Sequence, residues 1–193
     1  IKEGWLKTPK IIEAFRKIKR VDFLPDDMKD LAEVNEALPI DYGQTISQPL
    51  VVAFMLEQLT AQRGDKILDI GAGSGWTSAL LGEIVGPRGR IIAVEIIPEL
   101  REFGEKNAAK YNLNIEFVSA DGSKGYKKEA PYDKILCSAA VQKKVPEEWK
   151  KQLKTSGRIV TPIGSSIWLL IKSKEEFEET EYPGFAFVPL VEK

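Results

Sequence analysis

From residue 64 onward, short apolar runs alternate with stretches whose apolar residues recur at helical spacing. Ile67-Leu68-Asp69-Ile70 is such a run; it ends in Gly71-Ala72-Gly73-Ser74-Gly75, and residues 77–85 then carry Ala79, Leu80, Leu81, Ile84 and Val85 in helical register. A strand, a tight turn and a helix are predicted. Residues 90–95 form a second buried strand, 98–112 a helix with Leu100, Phe103 and Ala108 on its apolar face, and 115–119 a third strand. Residues 133–138 and 158–162 are the fourth and fifth strands, separated by a short helix over 147–154 that stops near Gly157. Residues 167–172 and 185–190 close the sheet, and the acidic segment 175–181 between them is expected as a solvated face. Buried strands alternating with helices predict an α/β fold: an open, mostly parallel sheet with helices on both faces and antiparallel pairing at the closing end.

Upstream, Thr8-Pro9 is an N-cap and first-turn pair opening a helix that puts Ile11, Ile12, Phe15 and Ile18 on one face through about Arg20. Residues 26–37 are acidic, with one short helical turn, and cover the fold. A loop over 38–49 between Pro39 and Pro49 gathers Gln44, Thr45, Ser47 and Gln48, and an apolar helix follows through Leu59, stopped by Gln62-Arg63-Gly64. With no internal repeat or linker, residues 1–193 are expected to form a single domain, in which 1–63 are an N-terminal cap and substrate loop and 64–193 a cofactor-binding sheet.

Composition narrows the chemistry. Lys plus Arg number 28 against 29 acids, a net charge of −1, so nucleic acid is not an expected partner. No apolar stretch has the length of a membrane span and no secretory signal is evident, although the sequence begins at Ile1 rather than Met. The single cysteine, Cys137, excludes an internal disulfide; it suits a cytoplasmic location and is expected as a buried core residue. A monomer is expected. Histidine is absent, which removes imidazole-built metal sites and Ser-His or Cys-His nucleophile pairs; no metal is expected.

The glycine turn is the first candidate site, because ligands of open α/β sheets bind beyond the carboxyl ends of the strands. The dinucleotide fingerprint needs a third glycine where this chain has Trp76, which argues against a pyrophosphate. Glu95 closes the second strand twenty positions past Gly75, where a carboxylate can accept hydrogen bonds from ribose hydroxyls; the alternative is a solvated strand-end charge. Asp121-Gly122 ends the third strand, as a ligand-facing pair or as an Asx turn. Ser47 is either a cap of the helix after Pro49 or a functional hydroxyl.

Asp69-x-Gly71-x-Gly73-x-Gly75 resembles the first motif of class I S-adenosylmethionine-dependent methyltransferases, whose sheet is Rossmann-like. Gly43-Gln44-Thr45-Ile46-Ser47-Gln48-Pro49 resembles the signature loop of protein-L-isoaspartate O-methyltransferases. Asp121-Gly122-Ser123-Lys124-Gly125, Ala130-Pro131-Tyr132-Asp133 and Phe187-Val188-Pro189-Leu190 agree, so the resemblance spans Phe23 to Leu190. It implies S-adenosyl-L-methionine as cofactor, held by Ile46, Asp69, Gly71, Ala72, Gly73, Gly75, Glu95, Ile96, Asp121 and Gly122. It also implies methyl transfer to the α-carboxyl of L-isoaspartyl residues in damaged proteins and peptides, with D-aspartyl acceptors left open, and Ser47 and Thr45 as the groups that orient that carboxylate. The chain departs from the pattern at Glu33 and Asn35, where Tyr and Asp are frequent, and at Asp41, where Gly is frequent. A small-molecule methyltransferase and a non-catalytic reader of damaged termini are the competing readings.

Overall fold

The computed structural model describes residues 5–174 and 176–192. In chain order its elements are α1 (Pro9–Lys17), a 3-10 turn Arg20–Phe23, a second one Asp26–Leu31, β1 (Leu38–Pro39), β2 (Thr45–Ile46), α2 (Pro49–Leu59), β3 (Lys66–Ile70), α3 (Trp76–Val85), β4 (Arg90–Glu95), α4 (Pro98–Ala108) and β5 (Ile115–Ser119). Then come 3-10 turns Gly122–Lys124 and Lys127–Glu129, β6 (Tyr132–Cys137), α5 (Glu147–Gln152), β7 (Leu153–Ile163), β8 (Ser166–Lys172) and β9 (Phe177–Pro183).

Seven strands form one sheet in the order β5-β4-β3-β6-β7-β8-β9; pairings from β5 through β7 are parallel, and β7-β8 and β8-β9 are antiparallel. This is the expected Rossmann-like class. The order in which successive strands are added reverses between β3 and β6, while both strands stay parallel; this is the topological switch point at which such sheets bind ligands. Alternate residues of each parallel strand enter opposite cores. Ile67, Ile91 and Leu136 join the core under α1 to α4, whereas Leu68, Ile92 and Ile135 join the core that holds Trp149 of α5. The second face is thinly covered, by α5 and the two short 3-10 turns.

Several boundaries differ from expectation. Helix α1 stops at Lys17, and the Thr8 hydroxyl donates to Glu57 Oε2 at 2.7 Å instead of capping it. Helix α4 stops at Ala108. Strand β7 starts at Leu153 without a break from α5, and Ser156 takes φ +64° at a register shift against β6. The acidic segment is β9 itself, an edge strand with Glu178, Glu179 and Glu181 exposed; Glu175 lies outside the described residues. Conversely 185–190 is no strand: its one bridge is an isolated pairing of Pro189 with Ala140, past the end of β6. Charges on an exposed edge discourage pairing with another chain, which is why a strand can carry this composition.

The loop over 38–49 is a hairpin, with Leu38 paired to Ile46 and Pro39 to Thr45. Asp41, Tyr42 and Gly43 all take positive φ at its tip (70°, 53° and 69°), so Asp41 adopts the conformation that favours the glycine it replaces.

Candidate active site

The glycine turn leaves β3 at its carboxyl end and is tied to β4 by Gly71 N–H and Ala72 N–H, which both donate to Val94 O at 2.9 and 3.1 Å. Gly71, Gly73 and Gly75 take φ of 73°, 51° and 83°. Gly75 has no alternative, because a Cβ there would stand 2.6 Å from the Gly104 carbonyl oxygen. The approach is mutual: a Cβ on Gly104 would stand 2.7 Å from Gly73 O, and Asn107, one turn on, donates from Nδ2 to Ser74 O at 3.3 Å. Helix α4 therefore supports the turn from behind. The lone glycine inside a helical pattern was the sequence signal for this contact.

A cleft open to solvent lies above the turn. It gathers Thr45, Ile46 and Ser47 from the hairpin, Gly71, Ala72 and Gly73 from the turn, Glu95 and Ile96 from the end of β4, and Gly122. Three expected residues stand back from it: Asp69 is buried at the strand end, Gly75 packs on α4, and Asp121 caps the 3-10 turn Gly122–Lys124, accepting from Ser123 N–H at 3.0 Å and pairing with Lys124 at 2.9 Å. The Asx turn is thus present at Asp121. Ile40, Gln44 and the 188–191 segment also line the cleft; Gln44 and residues 188–190 stood out in the sequence as motifs but not as expected site residues.

Glu95 is 6% exposed, so it is no solvated charge. Its Oε2 accepts from Gly73 N–H at 2.9 Å, and its Oε1 from Ile96 N–H and Ile97 N–H at 2.9 and 3.0 Å. The carboxylate thereby bridges the glycine turn to the entry of α4. Three of its four lone-pair directions are filled, and one is left for a ligand. Among the described residues lining the cleft, Glu95 is the one that is charged, and there is no Lys or Arg. A pyrophosphate would find no cation here, whereas a cofactor with hydroxyls and net positive charge suits one carboxylate and apolar walls.

Beneath the turn, Asp69 Oδ2 accepts from Ser78 Oγ at 2.6 Å, while Oδ1 is buried with no partner. Burial, with the charge of Glu95 adding to it, pushes the Asp69 pKa up to about 7 against the Ser78 hydrogen bond. A carboxyl raised on folding stabilises the fold below its unfolded pKa, and that contribution is lost as pH rises through about 7. Unfolding free energy is therefore expected to fall with pH across that window by up to about 1.4 kcal/mol per unit, and Asp69→Asn to lack that slope. Denaturant titrations of both proteins from pH 5 to 8 check this; parallel profiles would contradict it. Cys137 is buried, its thiol pushed up to about 12 by desolvation, and inert as expected.

The Ser47 hydroxyl makes no hydrogen bond among the described residues, and it does not cap α2. Gln48 holds the cap position, and Leu50 N–H is taken by Asn35 Oδ1 at 3.0 Å. A second hollow lies on the far side of the hairpin, lined by Val51 and by Ala186 and Phe187. Thr45, Ser47, Ser138 and Val188 line both hollows, so these residues are the partition between them.

The comparisons with known proteins agree with this geometry. A protein-L-isoaspartate O-methyltransferase of Methanopyrus kandleri is 43% identical over 97% of this chain and 86% of its own length. Protein-L-isoaspartate O-methyltransferase 2 of Archaeoglobus fulgidus is 46% identical over 94% and 84%. A solved protein-L-isoaspartate O-methyltransferase superposes with a TM-score of 0.88 at 28% identity, over 97% of this chain and 62% of that one. A Plasmodium falciparum protein assigned to the same activity, solved with S-adenosyl-L-homocysteine, has the same fold, with a TM-score of 0.88 at 17% identity over 100% and 94%. The family description "Protein-L-isoaspartate(D-aspartate) O-methyltransferase" matches residues 1–193, and the chain belongs to that family.

Proposed function

We propose that the chain methylates the α-carboxylate of L-isoaspartyl residues in damaged proteins and peptides, using S-adenosyl-L-methionine held in the cleft above the glycine turn. One observation supports this reading: Ser47, just past the hairpin strand β2 and with a hydroxyl free of hydrogen bonds among the described residues, lines both that cleft and the second hollow. Glu95 takes one ribose hydroxyl with its remaining lone pair. Gly71, Ala72 and Gly73 let the ligand lie against the backbone, Ile46 and Ile96 supply apolar walls, and Gly122 borders the base. Asp69, Gly75 and Asp121 act from behind, by shaping the turn and the strand ends.

When bound, S-adenosylmethionine supplies an electrophilic methyl group on a sulfonium sulfur. The acceptor carboxylate is ionised near neutral pH and brings its own electron pair, so no proton has to be removed. That agrees with a chain that has no histidine and a cleft whose described lining has no titratable group besides Glu95. The chain's part is to aim the carboxylate, with Ser47 donating to one oxygen and Thr45 beside it, and to keep water out. Opposite charges are neutralised in the transfer, so apolar walls at Ile40 and Val188 favour it.

The chain works as one domain, residues 1–63 serving as cap and substrate loop and 64–193 as cofactor sheet. We assign it as a monomer of the cytoplasm, with neither nucleic acid nor membrane as partner. The net charge of −1, the acidic edge of β9 and the lack of any membrane-length apolar helix among the described residues support this.

Calorimetry tests the cofactor half, with binding of S-adenosylhomocysteine and no response to NAD expected. Mass spectrometry tests the acceptor half, with one methyl ester per isoaspartyl residue expected. Binding of NAD alone, or an unmodified peptide, would overturn the reading.

A further inference from the structure

Arg20 opens the 3-10 turn after α1, and only 6% of it is exposed. Nη1 donates to Ala32 O and Val34 O at 3.2 and 3.0 Å, and Nη2 to Glu36 O and Ser47 O at 2.6 and 3.3 Å. Its Cζ lies 5.4 Å from the centroid of the Trp76 ring, at the start of α3, and Trp76 in turn lines the cofactor cleft. Among the described residues the guanidinium forms no salt bridge, and its buried Nε has no partner. Burying an arginine whose nearest carboxylate, Glu33, acts on it only from beyond salt-bridge distance is expensive, and four loop carbonyls do not need a cation to be satisfied. Stability alone is therefore a poor account of why it is there.

Its partners give a better one. Asn35 lies between two of the carbonyls that Arg20 holds, and it is bound to the start of α2 on its other side. Its Oδ1 accepts from Leu50 N–H and its carbonyl from Gln48 Nε2, both at 3.0 Å. Segment 32–36 is thus a strut between the guanidinium and the first turn of α2. The Ser47 carbonyl is held directly, and on the other side Thr45 and Ile46 are held by pairing with β1. The backbone of Ser47 is gripped from both directions while its side chain stays free.

We propose that Arg20 is a positioning residue for methyl transfer: by holding the Ser47 carbonyl and the 32–36 strut it sets the aim of the Ser47 hydroxyl at the acceptor carboxylate. This rests on Ser47 being the orienting group. Arginine is required because a planar fork serves separated acceptors at once, whereas a lysine ammonium is a point donor. Misplacement of an orienting group by about 1 Å costs on the order of a hundredfold in rate.

A double-mutant cycle on folded protein decides. Arg20→Lys is expected to lower kcat for an isoaspartyl peptide by about tenfold to a hundredfold, with S-adenosylhomocysteine affinity within about threefold of wild type. In a Ser47→Ala background the same change is expected to cost less than about threefold, because there is no hydroxyl left to aim. Equal losses in both backgrounds, a kcat per folded molecule unchanged by Arg20→Lys, or a parallel collapse of cofactor affinity would each overturn the proposal. If Arg20→Lys does not fold, Asn35→Ala, which cuts the same strut at Leu50, goes through the same cycle with the same expectations and the same contradicting results. A wild-type chain that leaves the isoaspartyl peptide unmethylated would instead defeat the reading of function on which the proposal rests.

Discussion

Ser47→Ala is expected to lower kcat/KM for an isoaspartyl peptide by about tenfold to a few hundredfold, with S-adenosylhomocysteine affinity nearly unchanged. One hydrogen bond from the hydroxyl to a charged oxygen, tightened in the transition state, accounts for a loss of that size. The structure sharpens the expectation by removing the competing role. Gln48 occupies the cap position of α2, and Asn35 already takes the Leu50 N–H, so deleting the hydroxyl uncaps nothing. Stability should move by no more than about 0.5 kcal/mol, as for a side chain without native hydrogen bonds. Steady-state kinetics beside thermal unfolding measure both quantities. Near-normal turnover would reduce Ser47 to a bystander.

Glu95→Ala should behave in the opposite way, weakening cofactor affinity and stability together. The one charge-assisted hydrogen bond to ribose that the proposal gives Glu95 is worth about 1.5–3 kcal/mol, or roughly tenfold to a hundred-and-fifty-fold in the dissociation constant. The same substitution strips the acceptor from Gly73, Ile96 and Ile97 N–H, and leaving partly buried donors unpaired costs about 1–3 kcal/mol of folding free energy. Calorimetry with S-adenosylhomocysteine and denaturant unfolding read the two losses. An unchanged dissociation constant would leave Glu95 as a brace for the turn and no more.

The parallel half of the fold was legible because strands buried on both faces must be written as apolar runs, as in Ile67-Leu68 and Ile91-Ile92-Ala93-Val94. The glycine turn was legible for a related reason: positive φ and a backbone 2.6 Å from an imagined Cβ leave few residue choices. Strand β9 was not legible. An edge strand with solvent on its open side can be acidic, and Phe177-Glu178-Glu179-Thr180-Glu181 carries the polarity of a loop. The start of β7 was hidden by Lys154-Thr155-Ser156-Gly157, whose turn composition serves a shift in register within the strand. At the site, Glu95, Gly71 and Gly73, which touch the cleft, announced themselves by type. The residues that hold them in place did not: Arg20 reaches carbonyls 12 to 27 positions away, and Asn35 caps a helix 15 positions on. Such partners are set by tertiary placement, and no local periodicity encodes them.

The most direct measurement is methyl transfer to two peptides of one sequence, differing only in whether a single residue is L-isoaspartyl or L-aspartyl. The isoaspartyl peptide presents a free α-carboxylate on a backbone longer by one methylene, the group that Ser47 and Thr45 are proposed to orient; the aspartyl peptide has only a side-chain carboxylate there. Methylation of the isoaspartyl peptide alone is expected, with a rate flat above the carboxylate's own titration, because no base is used. Equal methylation of the two peptides, or of neither while S-adenosylmethionine binds, would contradict the account.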